Sequence, residues 1–588
     1  MVRHAAIVLF CVAVAACGRT SSQPPAPTTP PSDTRVRELA DDYVDQYFEQ
    51  FPEQITYYGV PGKKHDRLTD NSLTSINEWH AQEDRWLSNV RAIDPATIQS
   101  SSLRATYAIL REALEGSVAT RVCRSELWPV SQMTGWQVGL GYLMTIQPTG
   151  TPEAREQALT RWHAVPKYLD TEIDNLREGM KLGYTAPRNI VRIVITSIRT
   201  LAATPAAESP FLAPARADKD GAFRGALTEA VNKEILPAAR RYADFLEREY
   251  LPKAREAIAV SANPNGAQCY VASIRAASTL PKSPQEVHDI GAREVAQIDA
   301  EMKAIAQRAF ATDDVPALMQ RLRTDPQYTF KSRQELIDYS QAALTRAKAA
   351  IPQYFGMLPK ADVRIEPYPA FREKSGAPGE YNPPSEDGSR GGLFYINASQ
   401  PEKTTRADAE STAFHETIPG HHLQMATAVE RKEIHPIGRY LINSGFVEGW
   451  ALYAEGLADE MKLYSGDLDR LGMLSSRNWR AARLVVDTGL HALGWTRQQA
   501  IDYMLAHTPQ SEESAASEVD RYIIMPGQAT SYMLGRIEIL AAREEARKIA
   551  GNAFNIKTFH DRVLEDGSVP LTYLREKIRR SFGGGGER

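Results

Sequence analysis

Cysteine is scarce in this chain, 4 among 588 residues, so where the cysteines fall matters more than how many there are. Charge of one sign is also missing. With 69 Lys+Arg against 73 Asp+Glu the formal net charge is −4, which excludes an electrostatic grip on nucleic acid as the main business of the molecule. After the first twenty residues there is no apolar run of 18, and the mean hydropathy is −0.39. A polytopic membrane protein is thereby excluded. Glycine and proline are unremarked in number, 37 and 36, which excludes a fibrous chain, and a hydrophobic content of 43% excludes wholesale disorder. What is left is a large globular protein, long enough for an extensive core or two domains.

The N-terminus reads as an address. Arg3 and His4 precede an apolar stretch from Ala5 to Ala16, too short for a stable membrane span, and it ends Val14-Ala15-Ala16-Cys17-Gly18. This resembles the lipobox of bacterial lipoproteins, with residues 1–16 as the cleaved signal and Cys17 as the acylated residue; an ordinary secretory signal is the plainer alternative. Residues 17–34 are rich in Ser, Thr and Pro, including Pro24, Pro25, Pro27, Pro30 and Pro31, and read as an extended tether. The expected location is the cell envelope, lipid-anchored and periplasm-facing, at the outer membrane. Once Cys11 is cut away and Cys17 is lipidated, Cys123 and Cys269 remain, either a disulfide or two separate thiols.

From Val36 to about Lys282 apolar residues recur at helical spacing, as in Arg104 to Leu114, with Pro/Gly punctuation between helices. Helices continue from a capped start at Ser283-Pro-Gln-Glu. Between Asp362 and Asn397 strand formers (Val363, Ile365, Phe394, Tyr395, Ile396) surround a Pro/Gly-rich loop, an insert of the kind that often carries function. The expected organisation is an N-terminal helical region over 35–280, a catalytic helical region with a β-insert over 281–582, and a flexible glycine tail at 583–588.

The densest chemistry is Phe414-His415-Glu416-Thr417-Ile418-Pro419-Gly420-His421-His422-Leu423, three of the chain's 12 histidines within eight residues. Thr405-Arg-Ala-Asp408 looks like a capping box, which places His415 in the C-terminal half of a helix. In His-Glu-x-x-His zinc hydrolases two imidazoles one turn apart face one metal and the Glu polarises water. Here the second position is Pro419. His421 and His422 would lie roughly 9–10 Å along a straight helix from His415, too far to share an ion. A break at Pro419-Gly420 would bring one of them back. A carboxylate ligand is available downstream in Ser444-Gly-Phe-Val-Glu448-Gly-Trp-Ala-Leu-Tyr-Ala-Glu455, read as a helix capped by Ser444 with Glu448 and Glu455 on one face.

These residues resemble the bacterial domain-of-unknown-function 885 family, whose members carry His-Glu-x-x-Pro-Gly-His-His followed by Glu-Gly-Trp. The likeness extends over Tyr381 to Arg390, Phe394 to Asn397, Asp487-Thr-Gly-Leu-His491 and Arg521 to Tyr532. Such proteins are similar to helical gluzincin-type zinc metallopeptidases. The resemblance implies a mainly α, peptidase-like fold with a deep cleft and a small antiparallel β-insert near the active site. It implies Zn2+ held by His415, His421 and Glu448, His421 matching better than His422. It further implies Glu416 as the base that activates water, and a phenol, Tyr532 or Tyr522, that stabilises the oxyanion. His491 and Tyr395 are expected to touch an oligopeptide substrate, and Gly392–Asn397 to be an edge strand that pairs with it. Arg390 and Arg521 are candidates for holding a peptide carboxylate, structural salt bridges being the commoner use. Trp450 and Trp479 read as core packing. The activity expected is hydrolysis of oligopeptides in the envelope; the alternatives are a non-catalytic binding scaffold and a cell-wall peptide amidase.

Overall fold

The computed structural model describes residues 31–206, 208–368, 373 and 378–583. The signal segment and Cys17 lie outside these residues, as does the tail beyond Gly583. The principal helices are α1 (Ser32–Gln50), α2 (Ser101–Thr120), α3 (Gly266–Ser278), α4 (Pro284–Phe310) and α5 (Arg333–Ala350), followed past the sheet by α6 (Arg406–Glu416), α7 (His421–Glu430), α8 (Ser444–Glu460), α9 (Asp467–Ala492), α10 (Glu512–Ile524), α11 (Ser531–Ala550) and α12 (Leu571–Phe582). The chain is mainly α, as expected. The tether is shorter than its composition implied, because Ser32 to Thr34 already form the first turn of α1.

Each helix is explained by its own pattern. α1 buries Val36, Ala40, Tyr43 and Phe48, a stripe at helical spacing. α4 begins with the anticipated capping box, in which the Ser283 hydroxyl accepts from the Glu286 N–H and the Glu286 carboxylate accepts from the Ser283 N–H. One continuous apolar core runs from Val36 to Ile578. It crosses residue 280 without interruption, and α3 packs against α8, α9 and α11. The expected boundary near 280 therefore does not separate two independently cored units. No helix among the described residues is long and apolar enough to cross a membrane.

Cys123 and Cys269 form a disulfide that closes a separation of 146 residues and joins the end of the α2 segment to α3. A link across so long a loop restricts the unfolded chain strongly. The Cys123→Ser/Cys269→Ser double variant is expected to lose about 2–5 kcal/mol of stability, measured by denaturant unfolding against the oxidised protein.

The sheet has three strands, β1 (Val363–Pro367), β2 (Gly379–Asn382) and β3 (Gly392–Ile396), in the order β1-β3-β2. β1 pairs with β3 in parallel and β2 with β3 antiparallel. Two expectations are corrected here. The insert is mixed rather than antiparallel, and Gly392–Ile396 is the central strand, with both rows of its backbone groups paired. β1 and β2 are the two edge strands, β1 beside α5 and β2 beside α6. A Cβ placed on Gly379 would lie 2.9 Å from the Thr412 side chain and 3.4 Å from that of Glu416, so β2 runs directly over the end of α6.

Candidate metal centre

Thr405 caps α6 by accepting from the Ala407 N–H, and the helix delivers His415 and Glu416 in its last turn. It stops because the chain must turn back on itself. The Gly420 N–H donates to Phe414 O at 3.0 Å, and α7 starts at the next residue. Any side chain at position 420 would collide, since a Cβ would sit 1.9 Å from His415 O. Gly420 is required for this close approach. The break does what a straight helix could not: the rings of His415 and His421 lie 4.7 Å apart, centre to centre, and nearly perpendicular at 86°.

α8 brings the third group. Its cap is Asn443, which accepts from the Phe446 N–H, and not Ser444; the Ser444 hydroxyl pairs instead with that of Ser531 at 2.8 Å. Glu448 Oε2 lies 3.7 Å from His415 Nε2 and 3.5 Å from His421 Nε2. These separations are too long for good hydrogen bonds. They match instead the spacing of about 3.3 Å between two ligands that each sit about 2.0–2.1 Å from one tetrahedral ion. One ligand atom from each of His415, His421 and Glu448 falls within 4.8 Å of the others. Glu455, two turns beyond Glu448 on the same face, takes the far side of His415: its Oε1 is 2.8 Å from Nδ1, while Oε2 accepts from the Ser411 hydroxyl at 2.8 Å. That contact directs the Nδ1 proton to Glu455 and leaves Nε2 as the ring atom that faces Glu448 and could ligate an ion. The indole of Trp450 donates to Pro419 O at 3.0 Å and fastens α8 to the turn.

A close helix crossing holds Glu448 in place. A Cβ on Gly449 would lie 2.5 Å from the Gly535 backbone, and one on Gly535 would lie 1.9 Å from Gly445 O. α8 and α11 thus meet backbone to backbone beside Glu448. Gly449→Val is expected to force the helices apart, costing about 1–3 kcal/mol as overpacking does, and to weaken metal binding with it. Thermal unfolding with and without added zinc reads both effects.

The electrostatics favour a cation. Three carboxylates, Glu416, Glu448 and Glu455, are gathered with two imidazoles, and all but Glu448, which keeps 21% side-chain exposure, are buried. Burial opposes the charge on Glu448, yet His415 and His421 hold its pKa well below the usual range. Burial pulls His415 down as well, but Glu448 and Glu455 outweigh it and raise its pKa to about 9. Glu416 is raised, chiefly by burial, against the pull of the two histidines. His421 Nδ1 is buried with no hydrogen-bond partner among the described residues. Two imidazoles and a carboxylate are a zinc donor set with room for a further ligand, and the residues present fit that ion.

The remaining candidates divide. His422 spends both ring nitrogens, Nδ1 with the Tyr381 hydroxyl at 2.9 Å and Nε2 on Ala361 O at 3.0 Å, and burial lowers its pKa to about 4. It is not available as a ligand. Tyr522 is a core residue whose hydroxyl donates to Glu518 and accepts from Trp479 and Arg483. The Tyr532 hydroxyl accepts from Arg521 at 3.2 Å, and its helix turn lies beside that of Ser444 at the α8–α11 crossing. His491 does not line a cleft: its Nδ1 accepts from the Val260 N–H, its Nε2 donates to Tyr522 O, and burial lowers its pKa to about 4. Tyr395 points away from the centre, on the sheet face opposite Phe394, and stacks on Tyr368 at 5.5 Å. Arg390 donates to Tyr57 O at 2.6 Å, a structural use. Trp450 is fully buried as expected, whereas Trp479 is only partly so. Tyr381 and Arg480 were not singled out from the sequence. Tyr381, on β2, holds His422 and lies parallel to the His421 ring at 6.4 Å; Arg480, on α9, sits 4.0 Å from Glu455.

Fold and site together define a mainly α protein with a buried His-His-Glu centre beneath a small mixed sheet. Residues 52–578 match the family model described as "Bacterial protein of unknown function (DUF885)", and the chain belongs to that family. It is similar to the crystal structure of a predicted lipoprotein from Colwellia psychrerythraea, at 25% identity and a TM-score of 0.87 over 94% of this chain and 99% of that one. It shares its fold with a predicted lipoprotein of unknown function from Shewanella oneidensis, at 17% identity and a TM-score of 0.71 over 92% and 99%. No protein of curated function matches the chain.

Proposed function

We propose that the protein is a zinc-dependent metallopeptidase that hydrolyses oligopeptides. The observation that carries this reading is the convergence of His415, His421 and Glu448 with Glu416 buried among them. Zinc, when bound, would supply Lewis-acid polarisation of the scissile carbonyl and make an attacking water more acidic. Glu416 takes a proton from that water and delivers it to the leaving amine, and its burial suits a group that must alternate between charged and neutral forms. Tyr532 donates a hydrogen bond from its hydroxyl to the carbonyl oxygen as negative charge develops there. β2, the edge strand over Glu416, is the segment against which an extended peptide aligns by main-chain pairing. Glu455 holds His415 in its ligating tautomer.

The lipobox-like Cys17 and the description of both structural neighbours as lipoproteins support a lipid-anchored protein of the cell envelope, with its folded body facing the periplasm from the outer membrane.

The test is metal analysis of the purified protein followed by digestion of a peptide library read by mass spectrometry. One zinc per chain and new peptide termini are expected. Protein that neither contains zinc nor takes it up defeats the proposal. Bound zinc without cleavage of any peptide turns the reading toward a binding scaffold, and cleavage of cell-wall peptides alone toward an amidase.

A further inference from the structure

Next to the metal centre α9 carries Arg480, which faces the acids Glu455, Glu416 and Asp408, and Arg483, whose one acid partner is shared with Arg521. Arg480 approaches Glu455 at 4.0 Å, but that carboxylate is committed to His415 and Ser411. One turn further along, Arg483 is buried, with Nε on the Tyr522 hydroxyl and Nη2 on Glu518 at 3.1 Å. Its Nη1 is buried with no partner among the described residues. Arg521, on α10, competes for the same acid: its Nη1 comes no closer than 3.6 Å to Glu518. Its Nη2 is spent on Gln528 at 2.8 Å and the Tyr532 hydroxyl at 3.2 Å. The Tyr532 ring covers Arg483, with the guanidinium carbon 4.5 Å from the ring centre. Asp487, the other acid on this stretch of α9, gives its oxygens to the Tyr270 hydroxyl and the Gly527 N–H, and burial raises its pKa to about 7.

Two guanidiniums therefore share one carboxylate in a poorly hydrated place. Such charge is costly unless something else neutralises it. The arrangement is asymmetric in a useful way. Arg483 is sealed off at 3% side-chain exposure, whereas Arg521 keeps 16%. Arg521 is the member that a ligand can reach, and Arg483 supplies the fixed charge behind it. Two structural links tie this pair to the metal centre: Arg480 to Glu455 to His415 on one side, and Tyr532 to the α8–α11 crossing beside Glu448 on the other.

We propose that Arg521, backed by Arg483 and positioned by Gln528 and Tyr532, binds the C-terminal carboxylate of the peptide substrate, so that cleavage is counted from the C-terminal end. A carboxylate supplies the missing negative charge, and guanidinium is the side chain best matched to it. A C-terminal amide offers no charge and leaves the pair unneutralised. This inference rests on the peptidase reading and decides a question that reading leaves open, exopeptidase against endopeptidase action.

The experiment compares N-acetylated peptides of one sequence, ending in a free acid or an amide, on the zinc-loaded full chain. The free acid is expected to have a kcat/KM at least about 100-fold higher, as sites built to bind a polar group reject ligands that lack it. In Arg521→Gln the acid-to-amide ratio should fall at least tenfold through a raised KM for the acid, and Arg521→Lys should restore part of it by restoring charge. Equal rates for acid and amide in the wild type, or an unchanged ratio in Arg521→Gln, overturn the proposal. An amide peptide ending in Asp that is cleaved as well as the free acid overturns the C-terminal assignment in favour of an acidic side chain. If no peptide is cleaved at all, the peptidase reading fails, and calorimetric titration with the same acid and amide decides the carboxylate site by itself. Binding of the acid alone, lost in Arg521→Gln, supports it; equal binding or none refutes it.

Discussion

Glu416→Gln is expected to lower kcat for peptide hydrolysis by about 10²–10⁴-fold while leaving one zinc per chain. Glutamine keeps the length and shape of the side chain, so the packing beneath Gly379 and beside Thr412 survives. What it removes is the ability to take a proton. The centre gathers three carboxylates, and Glu448 is the one whose oxygen faces both ring nitrogens, at 3.5 and 3.7 Å. Metal content should therefore survive the substitution. Turnover measured beside metal analysis and thermal unfolding gives three distinguishable results. Lost activity with retained zinc identifies Glu416 as the base. Undiminished activity reduces it to a buried acid, and loss of zinc together with activity makes it part of the metal-holding framework.

How much of this centre was legible depended on whether the information was local. Capping residues and the helical period placed His415 in the C-terminal half of a helix and Glu448 and Glu455 on one face; the structure agrees and puts His415 in the last turn, although Thr405 caps that helix alone, without the box to Asp408. Pro419-Gly420 marked where a six-residue spacing had to be folded back, and the turn lies there. Long-range pairing left no such trace. Strand formers at 392–396 announce a strand, but whether it is central or at the edge depends on partners at 363–367 and 379–382. The same holds for polar partners. His491 and Tyr522 have the side-chain chemistry of active-site groups, and contacts that are mostly distant in sequence, with Val260, Trp479 and Arg483, together with Glu518 one turn away, show that their polar atoms are already used. Tyr381 opens a stretch that carries the family likeness, but nothing in that Pro-rich stretch points to the histidine it holds 41 residues later. Arg480 belongs to a long helix whose apolar period hides a polar row. Asn443 and Ser444 are both good caps, and the structure uses the earlier one.

The two adjacent histidines separate most sharply by metal content. His421→Ala should reduce bound zinc from about one per chain to near zero, because two remaining ligands hold the ion too weakly for a closed protein site. His422→Ala should keep its zinc. The His422 ring lies outside the ligand group, tied between the Tyr381 hydroxyl and Ala361 O, so its loss leaves those two groups without a partner and costs stability instead. Glu455→Gln stands between them. It retains all three ligands but replaces the carboxylate that fixes the His415 tautomer, and zinc affinity should fall about 10–100-fold, the usual effect of altering a group that orients a ligand. Chelator competition on the three proteins orders them His421→Ala, Glu455→Gln, His422→Ala from weakest to tightest binding. An exchange of the two histidines in that order would mean that the centre uses His422. Full zinc retention by all three would mean that the ion is held elsewhere. The expected order of the two histidines follows from a single structural fact, that the break at Pro419-Gly420 turns His421 toward Glu448 while its neighbour in sequence is already bonded on both sides.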